Sequence, residues 1–211
     1  MISYRIVRVS CVLLVLVTSG CISFRGGSEA THTYQLSLEG GQRDVRSADG
    51  NSPVIQLNPP QAEPGFETPR MVYLKRSYEL EYFATNQWAD TPANMFAPLL
   101  AQSLNQSGVW RDVVLLPSLV PGDYRLDVYG FALQQEFLQS PSQVRVTARA
   151  QLVDLKLSMI VGMQRFETIE PALSENAYGG VVAANRAVAV LLDEISSWLR
   201  QCVQHSPACR R

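Results

Sequence analysis

Thiols, imidazoles and paired carboxylates are the groups through which this sequence could do chemistry, and their spacing gives them different prospects. Cys202 and Cys209 bracket Val-Gln-His-Ser-Pro-Ala, so two sulfurs and the His205 imidazole share one short segment. Such a trio could ligate a metal, but zinc-site spacings are not met and a fourth ligand has no obvious source. In an oxidising compartment the two thiols join, and in a reducing one they stay free. Closing so short a loop contributes about 2 kcal/mol, enough to pin a helix end. Glu79 and Glu81 could pair for acid and base work, although same-face charges on an exposed strand are ordinarily just solvated. His32 and His205 lie in the segments leading into and out of the folded region, and neither is placed like a general base in a packed cleft. Gly179 and Gly180 precede a long apolar run; with no lysine or further glycine beside them, they read as a flexible lead into a helix rather than an anion site. No nucleophile elbow, Walker loop, dinucleotide fingerprint or helical H-E-x-x-H occurs in the sequence. The expectation is a protein that is not an enzyme, with no catalytic residue, metal or cofactor.

Cys21 has a different setting. It follows Thr18, Ser19 and Gly20, which close the apolar run from Val9 to Val17, and Arg5 and Arg8 stand before that run. This is the three-part layout of a secretory signal, and the run is too short to span a bilayer, which needs about 20 apolar residues. A small triplet closed by cysteine resembles the bacterial lipobox. There the thiol takes a diacylglycerol, the signal is cut ahead of the cysteine, and the freed amine is acylated. Residues 1–20 are then a signal peptide that carries Cys11 away, and Cys21 is the first mature residue. Each buried methylene contributes about 0.8 kcal/mol, so one acyl chain holds weakly and two or more hold durably. Ile22 and Ser23 stand where enterobacterial lipoproteins retained at the inner membrane tend to carry aspartate, so the periplasmic face of the outer membrane is the expected address.

The elements that must position these residues follow from composition and periodicity. The chain has 211 residues, 46% of them hydrophobic and 18% charged, which after loss of a signal suits one globular domain with a substantial core. Its 18 Lys plus Arg face 19 Asp plus Glu, and losing Arg5 and Arg8 leaves 16 against 19. The mature chain is mildly acidic and lacks the basic footprint that nucleic acid or anionic headgroups select. Residues 21–32 form the acylated cysteine and a tether, flexible through Arg25, Gly26, Gly27 and Ser28; a single domain is expected over 33–204 and a tail over 205–211.

Strand-like runs occupy Tyr34 to Leu38, Val54 to Leu57, Met71 to Lys75 and Tyr78 to Phe83, the last setting Tyr78, Leu80 and Tyr82 against Glu79 and Glu81. Between the first two, Glu39 to Pro53 has no periodicity and is disordered or used for contact. Thr91 as N-cap and Pro92 after it open a helix with Phe96, Leu99, Leu100 and Leu104 on one stripe and Gly108 at its end. Further strands are expected over Asp112 to Leu116, Tyr124 to Leu133, Gln143 to Val153 and Leu155 to Phe166. In the third of these Val144, Val146, Ala148, Ala150 and Leu152 oppose Arg145, Thr147, Arg149 and Gln151, as in a strand covered on one face only. Val181, Ala184, Val188, Leu191, Ile195, Trp198 and Cys202 recur by threes and fours along a last helix of roughly 30 Å. Val182, Leu192 and Leu199 widen its stripe beyond a coiled-coil seam. The expected fold is α+β: a mixed or antiparallel sheet with one face covered by two helices.

Three stretches then give the chain a family likeness. They are PGFETPRMVYLKRS, which holds Phe66, Pro69, Val72 and Tyr73; NQWADTP, centred on Trp88, Ala89 and Asp90; and RFETIEP followed by GGVVAANRAVAVLLDEISSWL. In this order behind Cys21 they resemble the ABC-type transport auxiliary lipoproteins, the lipoprotein components of MCE lipid-transport systems. The resemblance implies a non-catalytic outer-membrane lipoprotein working with an inner-membrane ABC transporter and an MCE-domain protein that bridges the periplasm, in traffic of phospholipids or other hydrophobic molecules. Family members dock or receive the far end of that bridge, sometimes as homo-oligomeric rings. Trp88, Asp90, Tyr73 and Phe66 are accordingly candidate partner contacts, and Trp88 is equally placed to wedge under the following helix. An alternative makes the domain itself a carrier of lipid or hydrophobic solute, which calls for an apolar pocket between the sheet and the long helix.

Overall fold

The computed structural model describes residues 30–38, 49–204 and 209; the signal, Cys21, the tether to Glu29, most of the Glu39 to Pro53 stretch and His205 lie outside them. Among the described residues the chain forms β1 (His32–Tyr34), β2 (Val54–Leu57), β3 (Arg70–Leu74), β4 (Glu81–Trp88), α1 (Pro92–Gln106), β5 (Asp112–Leu115), β6 (Tyr124–Glu136), β7 (Gln143–Asp154), β8 (Met159–Pro171) and α2 (Ala177–Val203). All eight strands join one mixed sheet, and two helices cover one of its faces, so the architecture is α+β.

β6 is the spine. Along one edge it pairs antiparallel with β7 from Tyr124 opposite Asp154 to Glu136 opposite Gln143, and β7 carries β8 in turn. Its other edge is shared. Tyr124 to Leu126 pair parallel with β2, and Gln134 to Glu136 pair parallel with β3. Between them the N–H groups of Gln61 and Glu63 donate to the carbonyls of Val128 and Phe131, so residues 54–74 make one interrupted pass along β6. The sheet forks there, with β5 outside β2 and with β4 and then β1 outside β3.

Side-chain alternation decides which face is buried, and one bulge resets it. Leu126 and Val128 point inward; the register then shifts between Tyr129 and Ala132, where Gly130 takes φ 63°, and Phe131 and Leu133 point inward instead. A left-handed residue costs glycine little, and the extra residue is how a β-bulge changes phase. On β7 the inward set is Val144, Val146, Ala148, Ala150 and Leu152, all buried, as the alternation predicts.

α1 begins as its sequence indicates: Thr91 Oγ1 accepts from the Asn94 N–H at 3.3 Å and Pro92 follows the cap. Its buried stripe is Phe96, Leu100 and Leu104, with Phe96 4.7 Å from Phe131 between ring centroids. α2 is capped by Asn176, whose Oδ1 accepts from the Gly179 N–H at 2.9 Å. With 27 residues it runs about 40 Å, longer than the periodic stripe alone implies, because the helix begins at Ala177, four residues ahead of Val181. It lies on β7 and β8 through Ala184, Val188, Leu191, Ile195 and Leu199. Each of the Val, Leu and Ile side chains among them, once buried, contributes about 2 kcal/mol.

Several strand boundaries differ from expectation: β6 runs on past Leu133 to Glu136 and β8 past Phe166 to Pro171, and three strands start elsewhere for local reasons. The first strand is only His32–Tyr34, after which Ser37 N–H leaves the sheet to donate to Asn185 Oδ1 on α2. Tyr78 adopts φ 69° in the turn after β3, so β4 starts at Glu81 and continues to Trp88. Leu155 to Ser158 form the turn after β7, with Asp154 Oδ1 accepting from the N–H groups of Lys156 and Leu157, and β8 starts at Met159.

Candidate functional site

The residues singled out by type and spacing fall in four different settings. Trp88 is in the core at 1% exposure, in one buried cluster with Phe96 and Phe131. Phe66 is buried in a smaller cluster with Val72 and Leu74 on the opposite face of the sheet. Asp90 is at the surface, where its Oδ1 accepts from the Thr91 N–H at 2.6 Å and from Asn94 Nδ2 at 3.1 Å; it braces the start of α1. Only Tyr73 belongs to a half-exposed cluster, with ring centroids 4.6 Å from Phe83 and 5.9 Å from Phe137. Its hydroxyl donates to Glu81 Oε2 at 2.7 Å. That bond, with burial and the carboxylate charge adding to it, raises the Tyr73 phenol above its ordinary value. Glu81 is thus engaged by Tyr73 and Lys75, while Glu79 lies in the turn facing Arg76.

Phe83 and Phe137 escape a sequence reading because only the pairing of β3 with both β4 and β6 assembles the trio. Tyr34 and Tyr178 stand 6.3 Å apart where β1 meets the first turn of α2, and His32 stacks on Tyr34.

Gly179 and Gly180 do not form a flexible lead. Both are buried within the first turn of α2; a Cβ at Gly179 would strike the Ser174 carbonyl, and one at Gly180 would strike the Gln135 amide. Gln135 is itself buried, donating from Nε2 to Ser142 Oγ at 3.1 Å and to the Asn176 carbonyl at 3.3 Å. The glycines are therefore there for close approach between helix, loop and sheet.

At the other end of α2, Cys202 and Cys209 form a disulfide with Cα atoms 4.9 Å apart. It folds residue 209 back against β8, where a Cβ on Gly162 would lie 2.6 Å from Cys209 Sγ. Asp123 organises the same end of the sheet. Its carboxylate accepts from the Val54 N–H at 2.8 Å and pairs with Lys156 at 2.7 Å, and these two donors, Lys156 first, hold its pKa below the usual carboxylate value.

Beside the Phe66 cluster, the uncovered face of the sheet carries ion pairs along β6, β7 and β8. Arg145 bridges Glu136 at 2.7 Å and also pairs with Glu167, which Arg165 joins at 2.9 Å; Arg149 reaches Glu63 at 3.3 Å. Burial works to raise the Glu136 carboxyl, and donation from Arg145, Gln143 and Gln134 outweighs it, so the group stays ionised to lower pH than usual. The covered side is filled: Leu126, Val146, Leu152, Val188, Leu191 and Ile195 are all fully buried between sheet and helices. Where β8 and α2 part, an open cleft of ≈ 720 Å³ has a mixed wall, with Phe166, Val190 and Trp198 beside Arg165, Glu167 and Asp193. Among the described residues no group of His, Cys, Asp and Glu is arranged to hold a metal ion, and no helix is long and apolar enough to cross a membrane.

This arrangement has known counterparts. The family described as ABC-type transport auxiliary lipoprotein component matches residues 34–196. The fold is similar to that of XCC0632 from Xanthomonas campestris, with a TM-score of 0.73 and 17% identity over 83% of this chain and 98% of that one. It is also similar to that of an uncharacterized protein, with a TM-score of 0.62 and 12% identity over 81% of this chain and 99% of that one. No curated protein matches the sequence. At such identities the structures share a fold, whereas the family match runs from the end of β1 to Ser196 in α2 and takes in all of α1 and every strand between. The chain belongs to the ABC-type transport auxiliary lipoprotein family.

Proposed function

We propose that this protein is a non-catalytic docking component of an MCE-associated intermembrane lipid transport system, anchored by acyl chains on Cys21 to the periplasmic face of the outer membrane. The family match over residues 34–196 carries the reading. The packed interior supports docking over carriage: among the described residues the protein's own side chains fill the space between sheet and long helix, apart from the open cleft at the β8 edge. What the domain then offers a transport system is surface, held near a bilayer. Its partners are an MCE-domain protein and the ABC transporter subunits behind it, and the docked form is a ring of copies.

Affinity purification of the full chain from solubilised membranes after gentle crosslinking is expected to recover an MCE-domain protein together with a permease and an ATPase. Recovery of none of the three would overturn the reading. Radiolabelled palmitate should enter the wild-type chain and not Cys21→Ala; label in both would place the acyl chains elsewhere.

A further inference from the structure

One end of the sheet gathers three connections: the β3–β4 turn, the β6–β7 turn and the loop from β8 into α2. They are tied to one another through the Phe137 N–H on the Leu74 carbonyl, the Ala172 N–H on the Ser142 carbonyl and the Ser142 N–H on Glu175 Oε1, each at 2.8 Å. Each connection lifts large apolar or aromatic side chains into solvent: Tyr78 at 102% exposure, Leu138 at 48%, Leu173 at 76% and Tyr178, in the first turn of α2, at 62%. Tyr73, Phe83 and Phe137 stand behind them. Aromatic rings with a polar tip, mixed with aliphatic side chains, suit the zone where a bilayer's headgroups meet its acyl chains. Charge adds little, because Lys75 and Arg76 face Glu81 and Glu79 across the same turn.

The chain's own path says what covers this end. β1 runs parallel to β4, so the polypeptide comes into β1 from the side on which β4 begins, the side of the β3–β4 turn. Ten residues lie between Cys21 and His32, a reach of at most about 40 Å when fully extended. His32 pairs with Asn86, five residues along β4 from Glu81, so the end of the sheet at the β3–β4 turn lies about 17 Å from where the tether joins, well within that reach.

We propose that the end bearing Tyr78, Leu138, Leu173 and Tyr178 rests in the interfacial zone of the phospholipid bilayer that holds the Cys21 acyl chains, so that the domain stands on the membrane by this end. The proposal rests on acylation of Cys21. It sets the opposite end, with Leu157, Met159 and Ile160 exposed, toward the periplasm.

The test uses the full acylated chain reconstituted in phosphatidylcholine vesicles, with Tyr78→Trp, Leu173→Trp and, as the distal control, Leu157→Trp in separate samples. Brominated phosphatidylcholine is expected to quench the added fluorescence of the first two several-fold more than that of the third, and neither added salt nor phosphatidylglycerol should change the ratio. Equal quenching at all three, no quenching at any, quenching of the distal control alone, or burial of Tyr78→Trp only when a purified MCE-domain protein is added would each overturn the proposal. Intact mass separates the two levels. An acylated chain without quenching sinks the orientation and leaves the anchor standing, whereas a chain without acyl mass removes the anchor and the orientation with it.

Discussion

At the scale of single residues, Asp123 ties the start of β2 to the β7–β8 turn. Its carboxylate holds the start of β2, its backbone N–H donates to Val54 and its carbonyl accepts from Leu155, while Lys156 pairs with it from the β7–β8 turn. Because the folded state depresses its pKa, the stability it contributes is present above the unfolded carboxylate value, about 3.9, and is lost as pH falls through the lower folded value. Asp123→Asn keeps the shape and removes the charge. We expect a loss of about 1 kcal/mol near neutral pH, from a weaker bond to the Val54 N–H, and a gap between wild type and variant that closes in acid. Urea unfolding near neutral pH and near pH 3 checks it; a gap of equal size at both would show that the charge is irrelevant.

At the scale of elements, the first turn of α2 shows why a glycine pair can be misread. Alanine is a better helix former than glycine by about 1 kcal/mol, so free positions should gain from the change. Gly179→Ala instead drives a methyl into the Ser174 carbonyl, and overpacking against backbone costs about 2 kcal/mol or more. At Gly180 the obstacle is the Gln135 side chain, which can be removed. Gly180→Ala is expected to destabilise the wild-type background and to become neutral or stabilising in Gln135→Ala, and a double-mutant cycle from thermal or urea melts reads that coupling. Additive effects would mean the two positions do not meet. Much of the remaining architecture is legible in the sequence: the cap Thr91 with Pro92 after it, the alternation of β7 and the wide stripe of α2 are local signals. The strand boundaries at Glu81 and Met159 are not, because each depends on a turn whose first cue is a backbone angle or an aspartate bonding its own neighbours. The burial of Trp88 and the gathering of Tyr73, Phe83 and Phe137 depend on pairings between distant strands, which periodicity does not encode. Gly130 and its bulge shift the inward phase of β6 in mid-strand, so Phe131 could not be placed by counting in twos from Leu126.

At the scale of the whole molecule, a filled core leaves function to the ends and faces, and the C-terminal disulfide finishes one of those ends. Cys202→Ser frees residue 209 from Gly162 and is expected to lower stability by about 2 kcal/mol, measurable as a shift in urea midpoint that the reduced wild type reproduces. A reduced wild type as stable as the oxidised one would mean that the bridge only decorates the fold. The bridge also makes the tail a stamp of passage. A polypeptide stalled among the reductants of the cytoplasm keeps alkylatable sulfur at positions 202 and 209, while one delivered to the envelope has none there. A maleimide mass tag on whole cells therefore sorts delivered from stranded copies by the tail alone.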